Sequence, residues 1–160
     1  MEFVAHRPGT MRIAIGSDHR GTKLRARIVE LLRRWGQEVI DVGTQESGPI
    51  DYPDVAQQVA RRVSAGDADR GILICGTGLG MAIVANKYPG VRAAPCHDEL
   101  TAELSRRHND LNVLCLSGDM LKDSPIDGLI KVWLSTPFEG GRHARRVRKI
   151  AELERHNGRM

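Results

Sequence analysis

The sequence predicts a single three-layer αβα domain, with a five-stranded parallel sheet and a C-terminal helix. Three observations carry that expectation. Short apolar runs alternate with longer segments of helical period, which is the signature of βα units. The run "GILIC" (Gly71 to Cys75) is apolar without interruption, as in a strand covered on both faces. The 160 residues suffice for one substantial core, and no linker or internal repeat divides them.

Each element has its own signal. "MRIAIG" (Met11 to Gly16) reads as the first strand. From Gly21 to Trp35, Leu24, Ile28, Leu31 and Leu32 recur at helical spacing opposite Arg and Lys, and Gly36 closes the helix. "EVIDVG" is a second strand, followed by the polar loop "TQESGPIDYPD" and a helix from Asp54 to Ser64 carrying Val55, Val59 and Val63. "GILIC" is the third strand, and a short helix after "GTGLG" must end before Pro89. "VRAAPC" reads as the fourth strand, Asp98 to Arg107 as a helix and "VLCLSG" as the fifth strand. In "DSPIDGLIKVWL", Ser124 is expected to cap a helix whose first residue is Pro125. The last helix, Arg142 to His156, turns Ala144, Val147, Ile150, Ala151 and Leu153 toward an apolar neighbour. Residues 1–10 are expected to be a disordered extension, and residues 11–160 the domain proper.

Composition excludes several classes of function. Hydrophobic residues at 41% and charged residues at 28% are ordinary for a soluble globular chain. Cys75, Cys96 and Cys115 are odd in number and form no CxxC pair, which argues against a disulfide framework or a zinc site. Reduced thiols and a cytoplasmic location are expected. No apolar run approaches the roughly 20 residues of a membrane helix, and "MEFVAHRPGT" lacks the apolar core of a secretory signal. Many of the bases behind the net charge of +4 lie in "GRHARRVRKIAELERHNGR", mixed with acids and without aromatics on which bases would stack. That pattern suits a solvated basic helix or an anion site better than a nucleic-acid groove.

Open parallel sheets bind ligands at the carboxyl ends of their strands. Reactive residues fall there: Asp18 and His19 after the first strand, Cys75 after the third, Cys96 and His97 after the fourth. His108 and Asn109 end the fourth long helix. Taken singly, each also has a structural reading. Cys75 suits a small core residue, Asp18 a helix cap, His108 a partner for a helix dipole and Tyr52 a ring packed on a loop. Gly76, Gly78 and Gly80 permit backbone that turns several N–H groups toward one point, as for a phosphate or an oxyanion. The loop lacks a P-loop lysine, and its spacing is not the dinucleotide fingerprint. Arg142 and Arg146, four residues apart, project from one helical face and can grip an anion together. Arg145 and Arg148 read as ordinary surface charge.

The strings "GSDHRG", "DYPD", "GILICGTGLGMAIVANK", "LSRRHNDLNVL" and "FEGGRHARRV" occur in the order and at the separations seen in the type B ribose-5-phosphate isomerases and the related galactose-6-phosphate isomerase subunits. The resemblance runs from Met11 to about Leu153. It implies a Rossmann-like fold, a cofactor-free aldose–ketose isomerase, and a homodimer whose active sites draw on both subunits; assembly into tetramers is left open. No metal is expected, because the histidines show no ligand-type pairing. It further implies Cys75 as the base at C2 and C1, His108 for ring opening, and Asp18 assisting proton movement at the oxygens. Gly76, Gly78, Gly80 and the Thr77 hydroxyl would hold the negative oxygen. Tyr52 and Asn109 would line the sugar, while His19, Arg142 and Arg146 would take the phosphate.

The chain also departs from that pattern. Many relatives carry a phosphate-binding arginine after the fifth strand, where this chain has Asp119 in "LSGDML". A carboxylate cannot replace a guanidinium as an anion ligand. Pro95, Cys96 and His97 are expected near the mouth, where they would bear on sugar preference. Some relatives use a glutamate farther along the glycine loop as base; "AIVANK" offers none. The principal expectation is interconversion of ribose 5-phosphate and ribulose 5-phosphate. The alternatives are isomerisation of galactose 6-phosphate, allose 6-phosphate or a four-carbon sugar phosphate, and a noncatalytic sugar-phosphate or nucleotide binder.

Overall fold

The computed structural model describes residues 9–43 and 48–158. The expected extension therefore lies, for residues 1–8, outside the described residues. The elements in chain order are β1 (Arg12–Ser17), α1 (Thr22–Arg34), β2 (Glu38–Asp41), α2 (Tyr52–Ala65), β3 (Arg70–Cys75) and α3 (Leu79–Ala85). They continue as β4 (Ala93–Pro95), α4 (Glu99–Asn109), β5 (Val113–Ser117), α5 (Gly118–Leu121), α6 (Asp127–Ser135) and α7 (Arg142–Asn157). The strands form one parallel sheet in the order β2-β1-β3-β5-β4, which puts the most apolar strands at its centre.

Strand alternation divides the core into two layers. Ile13, Ile15, Ile72, Ile74, Leu114 and Leu116 face α1, α4 and α6, where Leu24, Ile28, Leu32, Ile130 and Trp133 meet them. Ala14, Leu73, Cys75, Val113 and Cys115 face α2 and α3, against Val55, Val59, Met81 and Ala85. The three-layer Rossmann-like architecture expected from the sequence is what is observed.

Three local expectations are corrected. Ser124 does not cap α6. Its carbonyl accepts from Arg27, Ile126 turns into the core, and the helix begins at Asp127. The fifth strand stops at Ser117, whose hydroxyl accepts the Met120 N–H and starts the four-residue α5. On α7, Ile150 and Leu153 remain 49% and 63% exposed, so the expected apolar stripe has little to pack on within one chain. The buried side chain of that helix is His143.

The β1–α1 turn is fitted closely against β3. A methyl at Gly21 would come 2.5 Å from Ile74 Cγ2 and 3.0 Å from the Ile74 carbonyl oxygen. Gly21→Ala is therefore expected to cost about 1–3 kcal/mol, because the backbone next to Cys75 must shift to admit it. Equilibrium urea unfolding measures this, and a cost below about 0.5 kcal/mol would show that the turn yields freely.

Candidate active site

The carboxyl ends of β1 and β3 are tied together at Asp18. Its N–H donates to the Ile74 carbonyl at 3.1 Å, and its Oδ1 accepts from the Arg20 N–H at 2.9 Å. The carboxylate is thus nearly buried but fixed at the loop edge. His19, exposed beside it, accepts the Ile50 N–H at Nδ1 (3.2 Å). That bond leaves the ring proton on Nε2, directed outward as a donor.

Cys75 ends β3 with 5% of its surface exposed, at the edge of the α2/α3 layer. The Gly78 N–H donates to its Sγ at 3.1 Å. Gly78 reaches that position with φ +80°, and a side chain there would press on the Leu116 backbone at 3.2 Å, so both conformation and space require glycine. Leu79 N–H donates to Thr77 Oγ1 at 3.2 Å, which leaves the exposed Thr77 hydroxyl able to donate its own proton outward. The glycine loop is therefore partly self-satisfied: one amide serves the sulfur and another orients the hydroxyl. The Gly76 carbonyl accepts from Ser117 Oγ and from the Asp119 N–H, which binds the loop to β5. Tyr52 opens α2 instead of lying in a loop. Its ring rests on Gly80, where an added Cβ would lie 2.5 Å from Tyr52 Cε2.

His108, Asn109, Arg142 and Arg146 belong elsewhere in the chain. α4 runs back from the carboxyl end of β4, closes with Asp110 at φ +48°, and delivers the chain to the start of β5. There Gly71 N–H donates to the Asn112 carbonyl. Gly71 pairs with Val113 and Cys75 with Ser117, so the sulfur lies four strand residues farther on, about 13 Å at 3.3 Å per residue. His108 thus stands at the amino end of the sheet and Cys75 at the carboxyl end. One chain carries the expected residues as two separate groups.

At the amino end the rings of His108 and His143 stack, with centroids 4.2 Å apart and an interplanar angle of 9°. Burial pushes the His143 imidazole below its ordinary value, and neighbouring His108, Arg142 and Arg146 add to this while Glu139 opposes it. Glu139 is engaged by Arg107 at 3.2 Å and lies 3.9 Å from His143. The sequence reading missed His143 and Glu139; their spacing of four residues was the available signal. Among the described residues, His108, Glu139 and His143 bring donor atoms within 4.8 Å of one another. Parallel rings this close do not aim both nitrogens at one point, and Arg107 already holds the carboxylate, so the arrangement suits an imidazole stack better than a metal. A cleft of about 710 Å³, bordered by Arg92, Asn109, Ile150 and Glu154, adjoins this group and lies away from Cys75. Size alone does not make it the reaction site, since neither the glycine loop nor the thiol at the strand end borders it.

Two other residues differ from expectation. Cys96 points into the α1/α4 layer, 3% exposed, with its thiol pushed up by burial, so it does not line a mouth. Asp119 forms a two-bond ion pair with Arg20, a residue the sequence reading left without a role. Cys115 is fully buried and its thiol is raised well above its ordinary value, as befits a core residue.

Comparison with known proteins agrees with the fold and the motifs. The Ribose/Galactose Isomerase family model matches residues 13–150. Ribose-5-phosphate isomerase B of Escherichia coli is 46% identical over 143 residues, covering 89% of this chain and 96% of that protein. The Clostridium thermocellum ribose-5-phosphate isomerase B structure superposes with a TM-score of 0.88 at 48% identity, over 92% of this chain and 99% of that one. The Mycoplasma genitalium ribose-5-phosphate isomerase B structure, with bound ribulose-5-phosphate, superposes with a TM-score of 0.85 at 44% identity, over 90% and 96%.

Proposed function

This chain belongs to the ribose/galactose isomerase family, and from that premise we propose that it interconverts ribose 5-phosphate and ribulose 5-phosphate. The observation that carries the proposal is the Cys75 sulfur at the carboxyl end of β3, receiving the Gly78 N–H beneath a loop of three glycines. A base at that position abstracts the C2 proton and returns it to C1, and the negative charge passes through a cis-enediolate. Removing a proton beside a carbonyl requires donors aimed at the developing oxyanion, each worth about 3–4 kcal/mol in comparable sites. The backbone from Gly76 to Gly80 and the Thr77 hydroxyl supply them, so the reaction calls for no cofactor.

A second copy of the chain completes the site. His108, in reach of a sugar bound at its partner's Cys75, opens the ring by protonating the ring oxygen, and Asp18 accepts the hydroxyl proton. Asn109 and Tyr52 line the sugar; His19, Arg142 and Arg146 hold the phosphate. The separation of the two groups within one chain supports this division, as does the uncovered apolar stripe of α7 beside the arginines. The phosphate is remote from the reacting carbons, so its binding energy can position them. Among the described residues no helix is long and apolar enough to cross a membrane. Cys75, Cys96 and Cys115 are free, which suits a reducing, cytoplasmic setting for the proposed homodimer.

Proton exchange at C2, followed by NMR in heavy water, tests the reaction. Deuterium is expected to enter ribose 5-phosphate faster than four- or six-carbon aldose phosphates. Exchange into none of them overturns the isomerase reading and leaves a sugar-phosphate binder. Faster exchange into a six-carbon or four-carbon substrate favours the alternative that Asp119 raises, an isomerase of another aldose phosphate.

A further inference from the structure

We propose that Arg20 is an anion-binding residue at this site, and that Asp119 is the positioning carboxylate that aims it. The proposal rests on the sugar-phosphate reading above. Arg20 follows His19 on the β1–α1 turn, and its N–H is held by the buried Asp18 carboxylate. Its side chain crosses over the residue next to the candidate base. A Cβ on Gly76 would meet Arg20 Nε at 3.3 Å, Arg20 Cδ at 3.4 Å and Asp119 Oδ2 at 3.4 Å. On the other side, Gly118 lets α5 approach the same turn: a Cβ there would lie 2.7 Å from the Arg20 carbonyl oxygen. Three strand-end loops therefore close on this one pair.

Guanidinium geometry shows what the pair leaves available. Arg20 Nε and Nη2 bind Asp119 Oδ1 and Oδ2 at 3.1 and 2.5 Å, a fork-to-fork arrangement. Of the five guanidinium N–H donors, this uses two. The second edge, formed by Nη1 and the remaining Nη2 proton, keeps a planar pair of donors suited to two phosphate oxygens. The side chain is 57% exposed, which leaves room for a ligand beside the pair. Elsewhere Arg70 and Arg106 are spent on backbone carbonyls of the fold, and Arg92 on the Asp110 turn.

Charge balance gives the same answer. Asp18 and Asp119 bring two carboxylates to this end of the sheet. Without Arg20 a phosphorylated ligand would face both of them with the His19 Nε2–H as the neighbouring donor from this chain, since Arg142 and Arg146 come from the second copy. Arg20 offsets one of the two carboxylates and still presents donors to the ligand, and Asp119 fixes the fork so that little side-chain freedom is lost on binding. The positive charge that Asp119 removes from the β5–α5 corner is thus supplied from the neighbouring turn.

The test compares Arg20→Gln, Arg20→Lys and Asp119→Asn, using inorganic phosphate both as a calorimetric ligand and as a competitive inhibitor of ribose 5-phosphate turnover. Arg20→Gln is expected to raise the phosphate Kd and the KM together by about tenfold, with kcat changed less than about threefold. Arg20→Lys should recover part of that loss, because it keeps the charge but not the fork. Asp119→Asn should weaken phosphate by severalfold although it removes a negative charge, since the fork is no longer aimed. Arg20→Gln leaving Kd and KM within about twofold, with thermal unfolding unchanged, overturns the anion role. Tighter phosphate binding by Asp119→Asn overturns the aiming role. If the wild-type protein isomerises no sugar phosphate yet Arg20→Gln still weakens phosphate, the catalytic reading falls and the Arg20 assignment stands.

Discussion

Cys75→Ala is expected to lower kcat for ribose 5-phosphate at least about a hundredfold while leaving the phosphate Kd within about threefold, because general-base transfer contributes about 10²–10⁴-fold and the phosphate ligands are other residues. The split between turnover and binding is the informative part. A noncatalytic binder has no turnover to lose and no use for the sulfur, and its phosphate Kd alone would be measurable and unchanged. A residue that only packed in the α2/α3 layer would lose stability and both functions together. Cys75 is at the edge of that layer, 5% exposed, so removing its sulfur leaves a small void and some destabilisation. Cys75→Ser separates the effects: it nearly preserves the volume and can still accept the Gly78 N–H, but a hydroxyl is a far poorer base than a thiolate. Loss of C2 exchange in both variants, with unfolding close to wild type in the serine variant, is expected. Retention of more than about a tenth of the wild-type rate by either variant assigns the proton to another group.

Most of the architecture was legible because it rests on periodicity. Leu24, Ile28, Leu31 and Leu32 mark the buried stripe of α1, and the unbroken "GILIC" marks a strand between two layers. What periodicity cannot reveal are elements decided by single contacts. α5 is four residues long and exists because Ser117 turns its hydroxyl to the Met120 N–H. The start of α6 was misplaced because burial of Ile126 overrides the capping preference of Ser124.

The candidate site was legible in the same uneven way. Asp18, Cys75 and the glycines follow strand ends, so the topology rule for parallel sheets found them. The Arg20–Asp119 pair joins residues 99 positions apart, and the His108–His143 stack joins two helices; neither spacing leaves a periodic trace. Asp119 stood out in the sequence only as a missing arginine. Its meaning came from the guanidinium that the fold lays against it over Gly76.

The separation of Cys75 from His108 leads to an experiment on pairs of inactive proteins. Neither Cys75→Ala nor His108→Ala should turn over ribose 5-phosphate appreciably alone. Coexpressed in equal amounts, they are expected to recover about a quarter of the wild-type activity per chain, since random pairing in a twofold dimer makes half the dimers hybrids and each hybrid holds one site with both residues intact. The other site in each hybrid carries both substitutions and stays silent. This arithmetic depends on Cys75 and His108 of one site coming from different chains, as proposed from their placement at opposite ends of the parallel sheet. If both came from the same chain, every site in every pairing would lack one of them and the mixture would remain inactive. A differently tagged copy of each variant allows the hybrid to be isolated, where the expected activity rises to about half that of the wild-type dimer. An inactive hybrid of confirmed dimeric mass would mean that each chain assembles its own site, and would require a rearrangement carrying α4 and α7 around the sheet edge toward Cys75.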